Sequence, residues 1–206
     1  MDRGRYLNNG ARTDTGSATY SQEKFTLAMA SRVASRTAPL TPLRWRPLVA
    51  RRWIAVEARI RDLGLSMPVI PAAPKGSYST FKRMGNVIYL SGHLPIPAEG
   101  AMMTGRLGQD VSLEQGQEAA RLCALQMIAS MKAAVGDLDN VKSIIKVNGF
   151  VNSTSDFTSH HLVINGCSNL LADVFGLEVG QHARSAVGVN VLPLNVPVEV
   201  EAIITV

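Results

Sequence analysis

The stretch HARSAVGVNVLPLNVPVEVEAI, residues 182–203, decides the fold. In each half, small or apolar residues recur at every second position: Ser185, Val187, Val189 and Val191 in the first half, and Val198, Val200 and Ala202 in the second. A period of two predicts two strands that each have one apolar face. Because Pro193-Leu194 makes a natural turn between them, we predict an antiparallel hairpin whose valine faces pack against helices.

The opposite face of this hairpin is where a site is expected. With the turn centred on Pro193-Leu194, small residues lie opposite carboxylates and a cation follows: Gly188 opposite Glu199, Ala186 opposite Glu201, and Arg184 one step beyond. Two small residues beside two carboxylates would leave a hollow. A different loop length would move this pairing.

Upstream of the hairpin, two further strands and two long helices are predicted. They are a strand at residues 87–92 after a turn at residues 84–86, a helix from the capping box Ser112-Gln115 to Gly136, a strand within residues 141–151, and a helix from the candidate N-cap Asp156 to Phe175, stopped by Gly176. Strands and helices in this order predict one α+β domain.

The positive charge of the chain is concentrated near its N-terminal end. The net charge is +5, but residues 1–56 hold ten basic and three acidic residues, a balance of +7, whereas residues 57–206 hold eleven basic and thirteen acidic ones, a balance of −2. Contacts with a phosphate backbone need a basic surface. The charge therefore favours nucleic-acid binding only for residues 1–56, here called the leader.

Between Glu23 and Glu57 the leader has no acidic residue. Basic, acid-free segments of this kind are typical of organelle import peptides, which a membrane potential draws inward. We expect a largely disordered targeting peptide for the mitochondrial matrix, with the plastid as an alternative and a cytoplasmic protein if the leader is only a basic tail. Residues 57–70 are expected to form a short helix and a linker, and residues 71–206 the folded domain.

The two cysteines lie within predicted helices, without the CxxC spacing of a metal or redox site. They are Cys123 and Cys167. We expect free thiols in a reducing compartment. The sequence has no apolar run of the length that a membrane-spanning helix needs.

Five motifs follow one another in residues 71–206. They are GNVIYLSG at residues 85–92, the strand end Phe150-Val151, Asp156-Phe157, HARS at residues 182–185, and VEVEAI at residues 198–203. In this order they resemble the Rid/YjgF family of enamine and imine deaminases. The resemblance implies a chorismate-mutase-like α+β fold, in which a mixed sheet carries two helices on one face. It also implies a homotrimer, in which three sheets form a barrel and three clefts lie between subunits.

The resemblance also implies a site in these clefts. Arg184 matches the family's carboxylate-binding arginine, whose planar guanidinium can hold a carboxylate by two parallel hydrogen bonds. Glu199 matches a glutamate that positions or activates the attacking water, a role favoured when partial burial raises its pKa. On periodicity alone, Arg184 would be an ion-pair residue at a surface or interface, and Glu199 and Glu201 would be exposed strand residues.

Smaller contributions are implied for five further positions. Tyr78 matches a tyrosine that contacts substrate or closes the cleft. Ser91 and Asn165 match positions that supply polar contacts, with local backbone capping as the alternative. Ala186 and Gly188 are expected to line the pocket.

Two features depart from the family pattern. Ala186 stands where many members have a cysteine, so no thiol at this position takes part in the reaction. Residues 156–180 are longer than in the compact members, which leaves substrate preference open. His160 and His161 are adjacent, and because neighbouring side chains diverge on a helix, we expect a solvated or capping role for them rather than a metal site. No cofactor is expected.

Three functions are compatible with these features. The first is hydrolysis of reactive 2-enamino and 2-imino acids, such as 2-aminoacrylate, to 2-keto acids and ammonia, a form of metabolite repair. The second is an RNA-directed translation inhibitor or endoribonuclease, a role also ascribed to family members, against which the −2 balance of residues 57–206 argues. The third is a non-catalytic trimer that binds a small ligand.

Overall fold

A computed structural model of the chain describes residues 55–68 and 72–206. The predicted targeting peptide falls on residues that lie almost entirely outside this range. The helices and strands, in chain order, are α1 (Val56–Asp62), β1 (Phe81–Met84), β2 (Val87–His93), α2 (Leu113–Val135), β3 (Ser143–Asn152), α3 (His160–Val163), α4 (Asn165–Phe175), α5 (Leu177–Gly180), β4 (Ala183–Val189) and β5 (Val198–Thr205). Single turns of 3₁₀ helix occur at Leu138–Asn140 and Pro193–Asn195.

The five strands form one mixed sheet in the order β1-β2-β5-β3-β4. Every neighbouring pair is antiparallel except β3 and β4, which are parallel. The long helices α2 and α4 pack against each other and on one face of the sheet, so the predicted α+β arrangement with two helices on one face is confirmed. None of the described helices is both long enough and apolar enough to cross a membrane.

The core lies between this helix layer and the sheet. β5 alternates between buried and half-buried residues along its whole length, as its period-two pattern predicts. α2 begins at the predicted capping box, in which the Ser112 hydroxyl accepts from the Gln115 N–H and the Gln115 side chain accepts from the Ser112 N–H. The start of α2 is thus defined by local sequence.

The predicted β4–β5 hairpin is wrong. β5 lies between β2 and β3, and β4 is an edge strand that pairs with β3. The chain after β4 therefore crosses the end of β3, where the fully buried Asn152 holds it: the Asn152 amide donates to the Val196 carbonyl and to the Asn195 side-chain oxygen. A period of two identifies strands and their faces, but it does not identify neighbouring strands.

The predicted cross-strand pairs therefore do not form. Gly188 lies beside Val151 and Ala186 beside Gly149, both on β3, and neither lies opposite a glutamate of β5. The faces of β4 are also the reverse of those predicted. Ser185 and Val187 are exposed on the face away from α2 and α4, whereas Arg184 turns towards α4. Val187 is left exposed because it lies on the face that carries no helix, whereas Val189 is half-buried.

The second long helix begins later than predicted. Instead of starting after Asp156, it consists of the short α3 and then α4, which meet at Ile164 and end at Gly176 as expected. The residues after β3 first form a turn, because the Thr154 N–H donates to the Leu107 carbonyl and the Phe157 N–H donates to the Thr154 carbonyl. These backbone bonds hold the segment before α3 in a non-helical conformation.

The face of the sheet away from α2 and α4, here called the open face, carries both apolar and charged side chains. It includes Tyr89, Ile203, Lys146, Glu201, Asn148, Ser185, Glu199, Phe150 and Val187. Tyr89 and Val187 are 44% and 46% exposed, which is high for residues of their size in a sheet. At one end of this face, Phe150 packs against a small cluster of Leu94, Leu192 and Val196.

His93 is a buried histidine on the helix side of β2. Its Nδ1–H donates to the Ser91 carbonyl at 2.6 Å, and its Nε2 accepts from the Ser130 hydroxyl at 2.7 Å, so both bonds fit the neutral ring. Burial lowers the pKa of His93 to about 4, and the bond to Ser91 opposes part of this effect.

This shift predicts a loss of stability in mild acid. The unfolded chain takes up a proton near pH 6.5 but folded His93 does not, so the free energy of unfolding should decrease as the pH falls from 6.5 to about 4. The loss should be about 3 kcal/mol. In His93→Gln, which keeps an acceptor for Ser130 without titrating, urea unfolding at matched protein concentration should show a shallower pH dependence. Parallel pH curves for the two proteins would contradict this assignment.

Candidate functional site

Arg184 is fixed by three hydrogen bonds to the segment that contains α3 and α4. Its Nη1 donates to Asn165 Oδ1 at 3.0 Å and to Ser168 Oγ at 2.9 Å, and its Nη2 donates to the His161 carbonyl at 3.0 Å. Among the described residues, Nε and the second Nη2–H have no acceptor. Because Nε–H and one Nη2–H lie side by side on a guanidinium, this edge matches the two oxygens of a carboxylate.

The polar contacts of Arg184 extend to a second histidine. Ser168 Oγ lies 3.0 Å from His182 Nε2, and His182 Nδ1 lies 2.6 Å from the Gly180 carbonyl. Burial lowers the pKa of His182, the bond to Gly180 opposes this effect, and the charge of Arg184 adds to it. His182 is therefore neutral at pH 7, with Nδ1 as donor and Nε2 as acceptor.

Glu199 lies on β5 with its side chain over Gly92 of β2. A Cβ added at Gly92 would lie 1.8 Å from Glu199 Oε1 and 2.8 Å from Cδ, so the absence of a side chain at Gly92 makes room for this carboxylate. None of the described residues donates a hydrogen bond or forms an ion pair with Glu199. Burial raises the pKa of Glu199, and the charge of Glu201 raises it further. Glu199 is thus a half-buried carboxylate with a raised pKa that can accept a proton.

The geometry at Gly92 predicts a selective loss of activity. In Gly92→Ala the methyl group would displace the Glu199 carboxylate, which is the end of a flexible side chain, rather than any backbone atom. Turnover in the reaction proposed below should fall by about tenfold or more, because such a shift misplaces the reacting group. Steady-state kinetics and thermal unfolding should show this fall with little change in Tm.

Gly76→Ala is the matched control for that variant. A methyl group at Gly76 would meet only Tyr78, at an ordinary 3.5 Å. Turnover should be unchanged. If both alanine variants lost turnover equally, the effect could not be assigned to Glu199.

Tyr78 and Ser91 lie near Gly92 in the N-terminal part of the domain. A shallow, open cleft in this region is lined by Tyr78, Gly92, Lys75, His93 and other residues. The Tyr78 side chain is half exposed there. The Ser91 hydroxyl donates to the Ser79 carbonyl at 2.7 Å, which is the local capping role that the sequence left open.

Ala186 and Gly188 do not form the hollow that was predicted beside the glutamates. Ala186 packs against the core, and a Cβ at Gly188 would lie 2.5 Å from His160 Nε2. His160 in turn lies 3.0 Å from Ser153 Oγ. The small residue at position 188 thus makes room for an imidazole on the helix side of β4.

Arg184 and Glu199 do not meet within one chain. Arg184 turns to the helix side of β4, whereas Glu199 lies on the open face of β5, and β3 separates the two strands. Two strand spacings correspond to roughly 10 Å, in addition to the thickness of the sheet. The structure thus groups Arg184 with Asn165, and Glu199 with Gly92, as two separate half-sites.

The two thiols belong to neither half-site. Cys123 and Cys167 are free, fully buried and helical. Burial raises the pKa of both, to about 12 for Cys167, so neither is a thiolate near neutral pH.

Sequence reasoning missed Ser168 and the His161 carbonyl, because neither lies in a motif. It quoted Gly92 only as part of a motif, without a role. A glycine near the end of a strand signals a close approach by another group, and this signal could have indicated a contact at Gly92.

Comparisons with known proteins identify the family. Residues 57–203 match the family described as "YjgF/chorismate_mutase-like, putative endoribonuclease". This match covers well over half of the chain, and the protein belongs to the YjgF/chorismate-mutase-like family.

Three similar proteins illustrate the range of names in this family. Protein TCP17 of Trypanosoma cruzi is 47% identical over 72% of this chain and 92% of its own length. A 2-iminobutanoate/2-iminopropanoate deaminase of Dermatophagoides farinae is 29% identical over 69% of this chain and 94% of its own. The crystal structure of Atu1372 from Agrobacterium tumefaciens, whose function is given as unknown, has a TM-score of 0.67 and 43% identity, covering 74% of this chain and 94% of that one.

Proposed function

We propose that this protein hydrolyses reactive 2-imino and 2-enamino acids to 2-keto acids and ammonia. The observation that carries the proposal is the guanidinium of Arg184, which is held by three bonds with one two-donor edge left for a carboxylate. The similarity to a named iminobutanoate deaminase supports this substrate class. The role is then the removal of reactive intermediates before they damage other proteins.

The two half-sites support a catalytic cleft between protomers. If Arg184 and Glu199 act on one small substrate, they must come from different chains, because in one chain they lie on opposite faces of the sheet. The open face supports such an assembly, since exposed Tyr89 and Val187 would be covered by neighbouring copies. We propose a homotrimer in which Arg184 of one protomer faces Glu199 of the next.

The proposed chemistry needs only proton transfer and orientation. Arg184 holds the substrate carboxylate, and an enamine first becomes the imine by protonation at carbon. Water then adds to C2 while Glu199 accepts its proton, and the nitrogen takes up a proton. The resulting carbinolamine loses its hydroxyl proton as the nitrogen takes up a second proton, so the C–N bond breaks to release ammonia and a C=O bond forms to give the 2-keto acid. General acid–base catalysis of this kind contributes about 10² to 10⁴ in rate.

RNA cleavage is the second candidate, because the matched family description names an endoribonuclease. The balance of −2 over residues 57–206 argues against it, since phosphate contacts need basic residues. Cleavage of a labelled RNA by the full chain, lost in Arg184→Ala, would favour this candidate.

A coupled assay tests the deaminase directly. An amino-acid oxidase generates 2-imino acids in situ, semicarbazide traps the unhydrolysed imine, and the protein should reduce semicarbazone formation in proportion to its concentration. A panel of amino acids would define substrate preference. No reduction for any member of the panel would reject the deaminase and leave RNA cleavage and a ligand-binding trimer as the remaining hypotheses.

The compartment remains a prediction that rests on the leader. We propose import into mitochondria, since the leader combines a balance of +7 with a long acid-free segment. Fractionation of cells that express the C-terminally tagged chain would test this proposal, and a cytoplasmic signal would contradict it.

A further inference from the structure

A continuous chain of hydrogen bonds lies behind Arg184, on the side away from its free edge. It runs from the Gly180 carbonyl through His182 and Ser168 to Arg184 Nη1, with distances of 2.6, 3.0 and 2.9 Å. Gly180 ends α5, His182 lies between α5 and β4, Ser168 lies on α4 and Arg184 lies on β4. The chain therefore ties the edge strand to the helix layer at the point where the guanidinium is held.

The donor and acceptor of each bond in this chain are determined by the groups present. The Gly180 carbonyl can only accept, so His182 Nδ1 carries the proton. Nε2 of the neutral ring is then an acceptor, and the Ser168 hydroxyl must donate to it. This leaves the lone pairs of Ser168 Oγ to accept from Arg184, which can only donate. His182 thereby orients the hydroxyl that holds Nη1.

We propose that Ser168 and His182 are positioning residues for Arg184, which fix Nη1 so that the Nε and Nη2 edge faces the substrate carboxylate. This inference rests on the proposed function. Ser168 acts on Arg184 directly, whereas His182 acts through Ser168. Neither residue contacts the reacting atoms.

Single and double substitutions test this order of action. Ser168→Ala and His182→Leu should each raise KM for the imine and Kd for 2-ketobutanoate by about tenfold, the low end of the scale for one hydrogen bond to a charged group. Turnover should remain near the wild-type value, because the lost contact holds ground state and transition state alike. His182→Gln, which keeps an acceptor near the position of Nε2, should restore most of the affinity. The double variant should have the same KM and Kd as Ser168→Ala alone, because His182 acts through Ser168.

The pair Ser153–His160 provides a matched control. It is a second serine–histidine pair at 3.0 Å, but it has no bond to Arg184. His160→Leu should leave KM unchanged. The proposal would be overturned if the effects of Ser168→Ala and His182→Leu on KM were additive in the double variant. It would also be overturned if His160→Leu raised KM as much as His182→Leu does.

A spectroscopic measurement separates this inference from the proposed function. Exchange between the two Nη signals of Arg184 in ¹⁵N NMR measures how fast the guanidinium rotates about its Nε–Cζ bond. This rotation should be faster in Ser168→Ala and His182→Leu than in the wild type or His182→Gln. If wild-type protein neither binds 2-ketobutanoate nor turns over imine, the deaminase fails, and these signals still decide the positioning claim. Unchanged rotation in both variants would refute that claim whatever the activity.

Discussion

Arg184→Ala should lower kcat/KM for imine hydrolysis by about 10²-fold or more, because two charge-assisted hydrogen bonds to the substrate carboxylate are lost. Kd for 2-ketobutanoate should rise to a similar extent, since the keto acid carries the same carboxylate. Steady-state kinetics and calorimetric titration would measure the two effects. The fold should persist, because Arg184 is half-buried and its acceptors can bind water in its place.

Arg184→Lys is the matched control for charge. A lysine keeps the positive charge but presents a single ammonium instead of a planar fork. We expect an intermediate loss, about tenfold in kcat/KM. Wild-type affinity in Arg184→Ala would show that the carboxylate binds elsewhere.

Glu199→Gln should lower kcat by about 10² to 10⁴, the usual contribution of a general base, with a small effect on KM. The acid side of the pH profile provides a second signature. Because a general base acts in its unprotonated form and the pKa of Glu199 is raised, wild-type kcat should fall as the pH decreases through that raised pKa. In Glu199→Gln this dependence should disappear from the remaining activity.

Glu201→Gln is the matched control on the same strand. Glu201 accepts from the Asn148 amide at 2.9 Å and is one of the causes that raise the pKa of Glu199. Removing its charge should move the acid limb of kcat to lower pH and leave the maximal rate nearly unchanged. An equal loss of rate in Glu201→Gln and Glu199→Gln would assign the base role to neither residue alone.

Local sequence signals predicted the main elements of the fold. The capping box at Ser112 and the alternation of β5 both identify structure through contacts within a few residues. The two helices on one face, by contrast, came from the resemblance to a family. Periodicity alone gave the class of domain but not its topology.

The long-range arrangement of β4 could not be predicted from its own residues. Its valines alternate as in β5, and this pattern suggested a hairpin with both valine faces buried. In the structure β3 lies between β4 and β5. Hydrogen bonds from Asn152, at the end of β3, hold the chain that crosses from β4 to β5, and no pattern within β4 itself indicates this contact. The face of β4 was reversed for a related reason. The polar partners of Arg184, Asn165 and Ser168, lie on α4, and the residues of β4 give no sign that these partners are near.

The candidate site was predictable in part. The identities of Arg184 and Glu199 followed from the resemblance, but their placement on one face was wrong. The correction changes the functional argument, because two residues on opposite faces of a sheet can serve one substrate only across a boundary between chains. The roles of Gly92 and Ser168 follow only from their distances to Glu199 and Arg184 in the structure.

Mixing two inactive chains tests the shared cleft most directly. Arg184→Ala and Glu199→Gln chains, unfolded together and refolded at equal amounts, should regain about a quarter of wild-type activity, since random assembly joins an intact Arg184 to an intact Glu199 at that share of the boundaries. Each variant refolded alone should remain inactive. A mixture no more active than the separate variants, although mass spectrometry shows mixed assemblies, would contradict a site built from two protomers.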